Sequence, residues 1–87
     1  MSTVIDEMVS VNLLSNHVAH TVMPTSIYWR GRRYAVTKVG LHHVTHEGRT
    51  LVHIFSVTDG SLFFKLQFNT DTLMWRLLET DDGSGYA

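Results

Sequence analysis

The stretch Ser56-Val57-Thr58-Asp59-Gly60-Ser61-Leu62-Phe63-Phe64 decides how this chain folds. Asp-Gly is a favoured pair for a two-residue type I′ hairpin, because both central residues take positive φ. Read that way, Thr58 pairs with Ser61. The register then predicts Val57 opposite Leu62, Phe55 opposite Phe64, His53 opposite Leu66 and Leu51 opposite Phe68. One face of the hairpin is apolar at every position except His53. The other carries Ser56, Lys65 and Gln67, with Ile54 and Phe63 as apolar exceptions. Such alternation marks half-buried antiparallel strands.

The pattern extends to both sides. His46-Glu47-Gly48 suits a three-residue loop with Gly48 in the left-handed bulge position. Thr45 then pairs with Arg49, which predicts Leu41 opposite His53 and Val39 opposite Phe55. Downstream, Asn69 to Thr72 reads as a four-residue loop pairing Phe68 with Leu73, Leu66 with Trp75 and Phe64 with Leu77. Three turns chosen separately agree on one core face, and such agreement is the signature of a consistent fold. Upstream, Tyr34 and Val36 have the opposite parity to Val39 and Leu41. A one-residue slip turns side chains to the other face, so Gly40 is expected to hold a bulge or a barrel corner. Before Pro24, Val9, Val11 and Leu13 alternate as a strand. Thr3 with Asp6 resembles a helix cap, but the strand is the stronger reading.

These signals predict an all-β fold: one antiparallel meander of five or six strands, closed or half-closed into a small barrel. Residues 1–87 form a single domain, with 1–23 as an N-terminal strand or arm, 24–79 as the meander core and 80–87 as a flexible tail. A chain of 87 residues buries only about 60% of its unfolded surface, and open edges on it would invite pairing between copies.

Composition narrows the function. A hydrophobic fraction of 44% with 17% charged residues is that of a globular domain. The absence of cysteine excludes disulfides, thiolate chemistry and cysteine-bearing zinc sites. No apolar run approaches the roughly 18 residues of a membrane span, and the N-terminus has no basic segment of a secretory signal. A soluble cytoplasmic protein is the expectation. A net charge of −1 argues against a dedicated nucleic-acid binder. Charge is nevertheless uneven, with Arg30, Arg32, Arg33, Lys38 and Arg49 against Glu47 alone over residues 30–49.

Six histidines are present, and His42-His43-Val44-Thr45-His46 has the look of a metal motif. On a strand, however, His42 and His46 share a face about 13 Å apart, and His43 points the other way. His43 and His53 share the expected core face on diagonal positions. No carboxylate pair completes a tetrahedral set, so no metal and no cofactor are predicted. His53 reads as a core histidine with a hydrogen-bond partner, open to a pH response near neutrality. No nucleophile elbow and no phosphate-cradling loop is present. The carboxylates lie in turns and the tail, where turn formation explains them. The chain is not expected to be an enzyme.

Two interaction surfaces remain. Tyr28, Arg30, Arg32, Arg33 and Lys38 would bind single-stranded nucleic acid if the basic residues shared a rim and Tyr28 stacked on bases. The plainer reading makes Gly31 a turn, lets the arginines charge a strand edge and uses Trp29 and Tyr34 to cap the core. The second surface is Ile54 with Phe63, diagonal neighbours on the solvent face in the expected register. An apolar patch there would mark a protein partner or self-association.

Trp29-x-Gly31-Arg32-x-Tyr34-x-Val36, the hairpin from Thr50 to Asn69, and Trp75-x-Leu77 resemble a family of small uncharacterised bacterial β domains. That family carries a W-x-G-R-x-Y-x-V signature, an Asp-Gly hairpin and a final W-x-L strand. The resemblance spans Pro24 to Glu79. It implies a β-rich fold and carries over no activity and no site residue. In this chain, residues 41–48 stand where the family has a tryptophan-bearing strand.

Overall fold

A computed structural model describes residues 2–83. Seven strands follow one another: β1 (Ser2–Asn16), β2 (Thr21–Trp29), β3 (Arg32–Ala35), β4 (Lys38–Glu47), β5 (Thr50–Thr58), β6 (Phe63–Asn69) and β7 (Met74–Asp81). All pair antiparallel in one sheet of order β3-β2-β1-β7-β6-β5-β4. No helix among the described residues is long and apolar enough to cross a membrane.

The long strand β1 shapes the molecule. Ser2 to Val9 pair with β7, whereas Ser10 to Asn16 pair with β2. Its register shifts between Val4 and Glu7, where Asp6 takes φ +53°, a left-handed conformation that aspartate tolerates better than most residues. Arg76 Nη1 donates to Asp6 Oδ1 at 3.0 Å and ties the bend to β7. On the β2 side a second shift leaves Thr25 unpaired and sets Leu13 opposite Pro24. A bulge is one of the few places where a strand accepts proline. Pro24 thus lies inside β2.

These bends carry the β2–β3 hairpin over the inner face of β4–β7. Ile27, Phe55, Val57, Phe64, Leu66, Trp75 and Leu77 form the buried core. Tyr34 of β3 meets Phe64 of β6 with ring centroids 5.2 Å apart, which joins the two halves.

The turns explain the register. Between β5 and β6 the loop is Asp59 to Leu62, with Thr58 opposite Phe63, and not the expected two-residue turn. Asp59 Oδ1 accepts the backbone N–H groups of Ser61 and Leu62, both at 2.8 Å, and Leu62 O accepts the Thr58 hydroxyl at 2.7 Å. The aspartate side chain thus closes a wider loop. Val57 faces Phe64, Phe55 faces Leu66 and His53 faces Phe68. The shift is two residues, so every side chain keeps its expected face. Between β6 and β7, Asn69 opposes Met74 and its Oδ1 caps Asp71 and Thr72. From Asn69 to Leu66 that register is again two residues from expectation, and Trp75 and Leu77 still face inward. Beyond a shift between Leu66 and Lys65, Phe64 lies opposite Thr80 and not Leu77.

The β4–β5 turn behaves differently. Gly48 and Arg49 alone form the loop and Glu47 pairs with Thr50. Gly48, at φ +63°, supplies the positive φ that a glycine-first two-residue turn needs. The displacement from the expected register is odd, so the faces invert. His42 lies opposite Phe55 and Val44 opposite His53, while Leu41 moves to the outer face and is 58% exposed. Gly40 holds the expected bulge, between Val39 and Leu41, and returns Val39 to the inner side.

The sheet does not close into the expected barrel, and it has seven strands instead of five or six. Only Val36 and Thr37 separate β3 from β4. Val36 N donates to Thr25 O and Thr37 N to Thr58 O, each at 2.9 Å. The chain steps directly from the β2 side to the β5 side without reversing. The two edges meet end to end along one stretch of chain, and no ladder joins β3 to β4. At the C-terminal end β7 runs on through Thr80 and Asp81. The last four residues of the expected flexible tail, 84–87, lie outside the described residues.

Candidate functional site

The arginine hairpin is built by its turn. Trp29 pairs with Arg32, and Arg30 and Gly31 take φ +51° and +75° between them, as a type I′ turn requires. Arg30 folds back on Glu7: its Nε donates to Oε1 at 3.3 Å and its Nη2 to Oε2. Trp29 Nε1 donates to the same Oε1 at 3.1 Å. The Arg30 guanidinium also lies over the Trp29 ring, 4.7 Å from its centroid. The hydrogen bonds from Arg30 and then Trp29 hold the Glu7 carboxyl below the usual carboxylate range. Charge at this corner is therefore spent within the fold.

The other basic residues do not gather around it. Arg32 shares the face of Tyr34 and lies over its ring at 5.5 Å. Arg33 pairs with Tyr28 on the opposite face, where Tyr28 is 41% exposed and its hydroxyl accepts from Asn12 Nδ2. Lys38 sits on β4, opposite Thr58. The five residues expected to form one rim are thus divided between two faces, a turn and a different strand.

The second expected surface also divides. Ile54 is 6% exposed and Phe63 48%. With the four-residue loop, Ile54 opposes Gln67 and Phe63 opposes Thr58, so they are not diagonal neighbours. On the outer face Gln67 Nε2 donates to Glu47 Oε2 at 3.3 Å, reaching across β5 above Val52. Polar side chains of β4 and β6 thereby cover the apolar positions of β5. Phe63 instead joins Leu41 and His43 along a groove of about 520 Å³.

Two features were not legible from spacing. The first is the edge of β4. Among the described residues this strand of ten pairs on one side only, and every residue from Gly40 to Glu47 is exposed. The second is a cleft of about 350 Å³ between the β1–β2 turn and the inner face of the sheet. His42 Nε2 lies 2.8 Å from His53 Nδ1 in it, within hydrogen-bond distance. The His42 ring stacks on Phe55 with centroids 4.2 Å apart and planes 2° from parallel. Phe68 and Trp75 continue the aromatic wall, and Leu13, Val22 and His20 line the arm side. Burial first, then the charges His53 and His43 would carry, push the His42 pKa below its ordinary value. His53 has the hydrogen-bond partner expected of it, but the partner is His42, and it is not His43 that shares its face. Reading Gly48-Arg49 as a two-residue turn would have paired them from sequence. No group of three histidine, cysteine or acidic side chains able to hold a metal occurs among the described residues.

No protein-family model, curated protein or solved structure matches this chain.

Proposed function

We propose that this is a non-enzymatic interaction module that self-associates by antiparallel pairing of β4 with β4 of a second copy. The observation that carries the reading is the length and openness of that edge. Exposed edge strands present unpaired N–H and C=O groups, and folds that avoid pairing blunt them with charge, proline, bulges or brevity. In β4 the one bulge, at Gly40, lies near the Lys38 end and leaves Leu41 to Glu47 regular. Here ten residues contain no proline, and charge lies only at the ends, in Lys38 and Glu47. Leu41 and Val44 between them are 58% and 47% exposed.

Charge complementarity selects a second copy as the occupant. Lys38 opposes Thr58 and Glu47 opposes Thr50, so both lie on the outer face, brought to it by the bulge at Gly40. A twofold axis perpendicular to the sheet near the middle of β4 brings each Lys38 toward Glu47 of the other copy. Such an interface is self-complementary and closed, and main-chain hydrogen bonds supply its cohesion.

Sedimentation velocity across a wide concentration range tests this reading. The expected result is a reversible dimer, weakened at least tenfold by Leu41→Lys or Val44→Lys. Both sites are exposed, so the fold should survive. A monomer at every concentration, or a dimer indifferent to both substitutions, would overturn it. Salt-sensitive binding of labelled single-stranded nucleic acid, lost when Arg30, Arg32 and Arg33 become serine, would move the function to the arginine hairpin.

A further inference from the structure

The histidine cleft carries chemistry that β4 pairing leaves unused. Its volume of about 350 Å³ falls within the roughly 300–1,000 Å³ of small-molecule pockets. Its walls are mostly aromatic faces and aliphatic side chains. Every ionisable residue lining it is a histidine, namely His20, His42 and His53. Among the described residues no carboxylate faces the space, so none of them would favour a cation there, and each charge this lining can acquire is positive.

Proton counting defines what the pair can recognise. With both rings neutral, one N–H is used between His42 Nε2 and His53 Nδ1. Whichever ring donates it, the two outer nitrogens are then one donor and one acceptor. An additional proton from solvent makes both outer nitrogens donors and gives the pair a single positive charge. Partial burial opposes that charge when the cleft is empty, whereas a bound anion favours it.

We propose that this cleft binds a small organic acid with a flat apolar body, and that binding takes up one proton onto the His42–His53 pair. Phe68 and Trp75, with Leu13 and Val22 across the cleft, meet the body of the ligand, Phe55 backs His42, and the protonated pair meets the carboxylate. No covalent step is involved: the proton comes from solvent and returns there on release.

The test uses the full chain with indole-3-acetate, which stays ionised between pH 6 and 8, and its neutral amide as the matched control. Aromatic NMR titrations should show saturable shifts at His42, His53, Phe68 and Trp75. Affinity for the acid should fall about tenfold for each pH unit above about 6.5, as uptake of one proton requires. The amide should bind more weakly and without that slope. Calorimetry in two buffers of different ionisation enthalpy should report net proton uptake on binding the acid at pH 7. His53→Gln, or His42→Gln if the first does not fold, should flatten the slope. Absence of saturable shifts at pH 6 would overturn the proposal. So would equal affinity for acid and amide, absence of proton uptake, or a slope unchanged in the folded variant.

Discussion

The Trp29–Arg30 corner and the His42–His53 cleft both set polar side chains against aromatic rings, and they are built in opposite ways. At the Trp29–Arg30 corner, one carboxylate, Glu7, receives both the indole N–H and the guanidinium. The carboxylate accepts three hydrogen bonds from these two side chains, while Arg30 stays 62% exposed. In the cleft, His42 and His53 satisfy one another on one side only, and the rest of each ring faces an apolar space. The corner stands out in the sequence because arginines cluster there, yet in the fold Arg30 is already bound to Glu7 and stacked on Trp29. The cleft looked like nothing because its histidines are eleven positions apart. Density of charge along a chain is a poor guide to free chemistry; what matters is whether a partner has already consumed it.

The comparison can be broken most severely at Phe55, which is 4% exposed and lies both in the core and beneath His42. Phe55→Ala should destabilise the fold by about 3–5 kcal/mol, as large-to-small core changes do; denaturant unfolding would measure it. A loss under 1 kcal/mol would mean that the aromatic wall is not part of the core.

A smaller effect should appear with pH. The folded His42 pKa lies below the unfolded value of about 6.5. Between the two values the unfolded chain therefore binds more protons than the native one. The stability contributed by neutral His42 is present above pH 6.5 and is lost as pH falls from there through the folded value. Thermal midpoints from pH 8 to 5 should fall less steeply in His42→Gln than in the unchanged chain. Equal slopes would show that the pair does not govern the acid limb.

The smallest effect should come from the corner. Glu7→Gln keeps an oxygen for Trp29 Nε1 and removes the charge facing Arg30. Exposed ion pairs contribute little and are screened by salt. The thermal midpoint should drop slightly at low salt and converge with that of the unchanged chain in about 1 M salt. A large loss that persists at high salt would mean that Glu7 acts through packing or hydrogen bonding and not through charge.

Much of this architecture was legible before any coordinates. The all-β class, the three downstream hairpins, the bulge at Gly40 and the inward set Phe55, Val57, Phe64, Leu66, Trp75 and Leu77 all follow from alternation and turn residues. The β5–β6 and β6–β7 turns close wider than their residues suggested, because Asp59 and Asn69 cap the following N–H groups with their own side chains. Next to each turn both displacements are even, and a period of two forgives an even error. The β4–β5 error was odd, and it exchanged Leu41 for His42 on the inner face. That one step concealed the cleft, whereas the diagonal pairing of Ile54 with Phe63 was lost to the wider β5–β6 loop.

The sequence alone determined which residues alternate, where the chain turns and which side chains are too apolar to remain in water, because these depend on local geometry and hydrophobicity. Tertiary structure decided what local rules do not reach: that β1 divides its length between β7 and β2, that β3 and β4 leave the sheet open, and that Glu7 lies within reach of Arg30. It also brought His42 onto His53. Each of these depends on strand register and on contacts between distant segments, and a one-residue difference in a single turn is enough to reverse which side chains meet.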